Sequence, residues 1–223
     1  SSPLWNKDDP GYTYTLYHSS TVEALPGQPD GPSILCLSCH DGTTALGNVL
    51  SREAEIGFTG GISSLPPGSS NISTDLADDH PISFDYTTGL ASTDGQLKDP
   101  SAIVPPVSLR NGRMQCTSCH DPHRNQTNDF LVVTNQFSEL CFSCHEEIQT
   151  MAQNSKHQHE AVLEPGGCLK CHTPHASTVQ FSLKAAPMSL CASCHDEPVT
   201  TENEEVIPSF TAQIEDKAFL HGP

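Results

Sequence analysis

Five copies of one five-residue pattern carry the chemistry of this chain: Cys36-Leu-Ser-Cys39-His40, Cys116-Thr-Ser-Cys119-His120, Cys141-Phe-Ser-Cys144-His145, Cys168-Leu-Lys-Cys171-His172 and Cys191-Ala-Ser-Cys194-His195. Two cysteines three positions apart fall on one face of a single helical turn. From there each sulfur reaches a porphyrin vinyl group to form a thioether, and the adjoining histidine turns its imidazole to the iron. The pattern implies covalent c-type haem attachment, with His40, His120, His145, His172 and His195 as iron ligands. All ten cysteines fall in these motifs, so none is left for a disulfide, and the arithmetic implies five haem c groups. Zinc is the competing reading of paired Cys-x-x-Cys. A zinc ribbon takes two pairs per ion and has no use for a histidine after every second cysteine.

An iron that only exchanges electrons takes a second protein ligand, because an open sixth position invites oxygen or substrate. Five of the twelve histidines belong to the motifs. That leaves His18, His80, His123, His157, His159, His175 and His221. Asp121-Pro122-His123 and Thr173-Pro174-His175 each place a histidine three residues beyond a motif histidine. The proline disfavours helix just before it, so the second imidazole leaves the motif turn and is free to reach a neighbouring haem. His80, followed by Pro81, has a similar extended context. His80, His123 and His175 are therefore expected as opposite ligands. Between His157 and His159 the expectation falls on His159, which opens the run to Cys168, and His157 is left to solvent. The fifth place goes to His18 or His221. Met114 and Met188 lie within three residues of a motif cysteine, where packing against porphyrin is expected rather than ligation.

The elements that hold these groups must be short. The 223 residues are only 35% apolar, a weak basis for a polypeptide core, so the porphyrins are expected to be the core. The expected fold is mostly irregular with short α-helices, wrapped around a haem stack, with little β-sheet. Residues 1–30 read as an N-terminal arm, 31–110 as the first motif with a turn-rich segment, 111–198 as a four-haem repeat and 199–223 as an acidic tail, all in one continuous domain. From Cys116 onward the motif starts are 25, 27 and 23 residues apart, the spacing of a repeat. Asp75, Asp78 and Asp79 read as solvated or capping acids rather than a calcium site.

A net charge of −17, from 27 acidic and 10 basic residues, excludes a phosphate-binding surface and with it nucleic acid. The run Glu202, Glu204, Glu205 reads as a solvated face. The chain opens Ser1-Ser2-Pro3, consistent with a removed signal peptide, and covalent haem attachment takes place outside the cytoplasm. No apolar run has the length of a membrane span. Secreted, extracellular or cell-surface location is expected, with the periplasm as the alternative.

Residues 80–195, with His-Pro-Ile-x-Phe, Met-x-Cys-x-x-Cys-His-Asp-Pro-His, Glu-Leu-Cys-x-x-Cys-His and Gly-x-Cys-x-x-Cys-His-x-Pro-His, resemble the doubled-CXXCH multihaem cytochromes of metal-reducing bacteria. Pro-Leu-Trp-Asn-Lys-Asp-Asp-Pro at the N-terminus and Cys-Leu-Ser-Cys-His-Asp-Gly-Thr-Thr-Ala resemble the same group. Within it the nearest likeness is to secreted cytochromes that polymerise into extracellular nanowires. That resemblance implies a continuous haem stack and one iron ligated by a histidine of the adjacent subunit, a place for His18 or His221. This chain departs from the four-haem members by its fifth motif. Its expected partners are copies of itself, other redox proteins and extracellular acceptors. A monomeric periplasmic shuttle is the alternative. A multihaem reductase is disfavoured, since no motif carries the altered ending of a haem with an open site.

Overall fold

The computed structural model describes residues 6–7, 11–200 and 204–214; Trp5, Glu202 and His221 lie outside the described residues. The architecture is mostly irregular, with short helices and two two-stranded sheets, as the composition implies.

Helix α1 (Gly31–His40) carries the first motif. It follows an extended Asp30, has Pro32 in its first turn and closes as the Asp41 N–H donates to the Leu37 carbonyl. Proline suits that first turn because its missing N–H has no partner there. Leu37, 2% exposed, packs with Tyr14 and Leu76, and the Tyr14 hydroxyl donates to Asp41 at 2.8 Å. The arm thus docks on α1, held also by Thr15 bonded to residues 74 and 76.

A second cluster forms around β1 (Phe84–Asp85), paired antiparallel with β2 (Arg113–Met114), Phe84 opposite Met114. Between them lies α2 (Thr88–Asp94), capped by the Thr87 side chain and ended by left-handed Gly95. Phe84, Tyr86, Val107, Met114 and Cys144 are buried together here. Met114 fills this cluster.

Helix α3 (Cys116–Cys119) directly follows β2 and packs on α1. A polar network joins them: Arg113 pairs with Asp30 and donates to the Ser83 carbonyl, and Gln115 Nε2 donates to Asp30 at 2.8 Å. Gln115 Oε1 accepts from the Ser33 hydroxyl. Gln115 is buried, so Gln115→Ala leaves Ser33 and Asp30 short of a partner. We expect a loss of about 1–3 kcal/mol, read as a lower denaturant midpoint of the holoprotein.

The later motifs sit on α4 (Glu139–Phe142), a 3₁₀ turn (Gly167–Lys170) and α6 (Pro187–Ala192), with α5 (Glu146–Asn154) between. An exposed hairpin of β3 (Val199–Thr200) and β4 (Val206–Ile207) and a last helix α7 (Phe210–Ile214) follow. Apart from Leu37, the most deeply buried side chains are serines: Ser33, Ser38, Ser83, Ser118 and Ser138. Four of them lie within or three residues ahead of a motif, where they bond backbone rather than fill apolar volume. No described helix is long and apolar enough to cross a membrane.

Candidate haem centres

Each motif from the second onward closes the same turn. The backbone N–H of His120, His145, His172 and His195 donates to the carbonyl of the first motif cysteine, at 2.9 Å in all four. That bond sets the two sulfurs on one side and the imidazole beyond them. In three motifs the serine before the second cysteine bonds back to a carbonyl three or four residues earlier, through Ser38, Ser143 and Ser193.

The second and fourth motifs share a longer design offset by 52 residues. His120 Nδ1 lies 2.8 Å from the Asp129 carbonyl, and His172 Nδ1 lies 3.0 Å from that of Phe181. Asp121 N–H donates to Phe130 as Thr173 N–H does to Ser182, and Val132 returns to Cys119 as Lys184 returns to Cys171. A carbonyl only accepts, so Nδ1 holds the proton and Nε2 offers its lone pair to a metal. His40 Nδ1 makes the same kind of bond to the Ser70 carbonyl at 2.7 Å.

Three motif imidazoles face a second imidazole from elsewhere in the chain. His80 lies opposite His145 with ring centroids 6.4 Å apart, His175 opposite His120 at 6.2 Å, and His159 opposite His195 at 6.1 Å. Two imidazoles bound trans to one metal, at about 2.0 Å per bond and about 1.1 Å from nitrogen to ring centre, stand about 6.2 Å apart. The observed spacing fits an iron held between two histidines. The donor set, two imidazoles at each of three places, fits too. Tetrahedral zinc asks for four such donors; a porphyrin brings four nitrogens of its own and asks the protein for two. Burial lowers His80 to about 4, with His145 adding to the effect, and burial also lowers His145 and His120. These rings are therefore held neutral, as a metal ligand must be.

The motifs also meet in pairs. The thiols of Cys36 and Cys116 are close enough to influence each other electrostatically, and so are those of Cys141 and Cys168. In both pairs the serine three residues before the first cysteine accepts from the backbone N–H of the second: Ser33 from Cys116 at 3.1 Å, and Ser138 from Cys168 at 2.8 Å. The attachment turns of each pair are therefore neighbours, and their cysteines would hold two haems side by side.

One crossing of two irregular segments, residues 78–80 and 174–177, delivers two of the opposite histidines. His80 N–H donates to the Pro174 carbonyl and Ser177 N–H to the Asp78 carbonyl, both at 2.8 Å. From this crossing His80 turns to His145 and His175 to His120. The remaining sequence candidates are placed otherwise. His123, in the position equivalent to His175, has an 89% exposed side chain with Asp121 at 3.4 Å. His18 lines a surface cavity of about 220 Å³ with Asp78, Ser177 and Phe181. His157 is exposed, and His221 lies outside the described residues. Among the described residues no imidazole lies opposite His40 or His172. Sequence reasoning set aside Asp79 as a solvated acid. It is buried, 6% exposed, with Oδ1 2.8 Å from His175 Nδ1; its position one residue before His80 was the available signal.

No curated protein matches the chain. Two stretches, residues 109–150 and 159–200, match the doubled CXXCH motif, and between them they hold four of the five attachment sequences, His80 lying before the first stretch and His159 opening the second. With the paired imidazoles already placed, this match supports a multihaem c-type cytochrome that binds haem c covalently and transfers electrons.

Proposed function

We propose that the chain is a pentahaem electron conduit, secreted and assembled with copies of itself into an extracellular filament. The observation that carries the conduit is the set of three imidazole pairs at 6.1–6.4 Å, each joining a motif histidine to one from a distant segment. When bound, haem c supplies reversible one-electron exchange, and groups in near contact pass electrons from iron to iron without bond making. The residues of the chain do the rest. Ten cysteines anchor the porphyrins, the five motif histidines with His80, His159 and His175 fill eight of the ten axial positions, and the Ser33 and Ser138 bonds keep neighbouring attachment turns together. His80, His159 and His175 close three irons against exogenous ligands, which is the condition for a carrier and not for an enzyme.

The filament extends the conduit beyond one molecule. Its support is the resemblance and the two motif histidines, His40 and His172, that face no imidazole among the described residues. A histidine offered by a neighbouring copy, His18 or His221, would fill such a place and join the copies through a metal bond.

Mass spectrometry of the purified holoprotein is expected to show five haems per chain, with no rapid carbon monoxide binding by the assembled form. Electron microscopy is expected to show filaments. Fewer than five haems would overturn the pentahaem assignment, and only monodisperse particles under native conditions would leave the periplasmic shuttle.

A further inference from the structure

Asp79 is the one buried carboxylate in contact with a candidate axial imidazole among the described residues. Its Oδ1 lies 2.8 Å from His175 Nδ1 and also accepts from the Ala176 N–H at 3.3 Å, while its Oδ2 is buried without a hydrogen-bond partner. Asp78, the preceding residue, is partly buried and adds a second negative charge. The other candidate ligands whose Nδ1 contact is defined inside the fold meet neutral groups: the carbonyls of Ser70, Pro81, Asp129 and Phe181 accept from His40, His80, His120 and His172. His123 also has an acid nearby, but in solvent, where screening leaves such a contact little effect.

We propose that Asp79 is a positioning residue that sets the haem on Cys116 and Cys119 to a lower reduction potential than its neighbours. A carboxylate accepting from Nδ1 draws the proton away from the ring, making Nε2 a stronger donor, and second-shell bonds of this kind tune the metal they serve. A stronger donor favours Fe(III), which carries one more positive charge than Fe(II). The two acids nearby act in the same direction, through low-dielectric surroundings that screen them weakly. The conduit then holds an uneven step at this position. Electrons cross it against a small rise in energy rather than resting there.

This inference rests on the reading of His175 and His120 as the two axial ligands of one iron. The test is Asp79→Asn in the full holoprotein, a change of nearly equal shape that keeps an acceptor and removes the charge. At a fixed poise the reduced-to-oxidised ratio of one haem is expected to rise about tenfold, equivalent to about 59 mV for one electron. Haem content and low-spin spectrum should stay as in the parent, and Asp79→Glu should return the potential towards its parental value. A redox titration unchanged in Asp79→Asn, with all haems bound and low-spin, overturns the proposal and leaves Asp79 a structural cross-link. The parental holoprotein gives an independent reading by electron paramagnetic resonance: one low-spin signal with a narrower g spread than the rest, lost in Asp79→Asn. Absence of any such signal overturns the proposal even where the variant does not accumulate. If His175→Ala leaves every haem low-spin, the axial assignment itself fails, and the proposal with it.

Discussion

His80→Ala is expected to convert one haem per chain, the one on Cys141 and Cys144, from low-spin to high-spin, and to let that haem bind one equivalent of carbon monoxide. His80 faces His145 across 6.4 Å, and burial holds its ring neutral, ready to ligate. Alanine removes the ligand without supplying another. The backbone N–H of residue 80 still reaches the Pro174 carbonyl, so the crossing that carries His175 survives, and the haem on Cys116 and Cys119 should remain low-spin. His159→Ala is expected to do the same to the haem on Cys191 and Cys194. His157→Ala and His123→Ala in the isolated chain should leave the spectrum unchanged. The measurement is the charge-transfer band of high-spin haem, counted against total haem. A fully low-spin spectrum in His80→Ala would reject the pairing with His145.

Gly167→Ala is expected to break the second motif pair. Gly167 sits at φ +39°, in the left-handed region, and a Cβ there would lie 1.9 Å from Ser138 Oγ. That hydroxyl is the acceptor for the Cys168 N–H, which ties the third motif to the fourth. Backbone strain in such a conformation costs about 1–3 kcal/mol, and loss of the hydrogen bond adds about 1 kcal/mol. The collision must also be relieved by separating the two turns. Gly95→Ala serves as the control, since Gly95 has φ +73° but open space where its Cβ would go. It should show the strain alone. The denaturant midpoint of the two holoproteins, compared with the parent, decides the matter; equal losses would mean that the Ser138 contact is not what Gly167 protects.

The attachment turns were legible because their chemistry is local: two sulfurs and an imidazole must lie within five residues to serve one porphyrin. The irregular fold with little sheet followed from the same sequence, since a chain only 35% apolar is a weak basis for a polypeptide core. Pairing of opposite ligands was another matter. His123 and His175 occupy matching contexts three residues beyond a motif, and the local differences between them do not say which one meets another imidazole. The difference is made by Asp79 and His120, which lie 96 and 55 residues before His175 and meet it only in the fold. Asp79 itself was illegible for a related reason. In a chain of net charge −17, an acidic run reads as solvated surface, and only the crossing of residues 78–80 with 174–177 buries it. The serines at 33 and 138 were passed over because three residues ahead of a cysteine is no known signature; their role is visible only against the partner motif.

That same crossing has a consequence for how the protein is made. A chain delivered N-terminus first presents Cys116, Cys119 and His120 well before residue 175 arrives. Until the two segments cross, the second attachment site has its covalent anchors and one axial histidine but not the other, and His80, although already present, lacks the Pro174 partner that holds it in place. Maturation must therefore protect half-ligated sites over some fifty residues of further delivery, and contacts of such long sequence separation form slowly. Truncation before residue 174 would leave intact motifs with incomplete centres, so covalent haem content and spectroscopic completeness are separate milestones in the biogenesis of this chain.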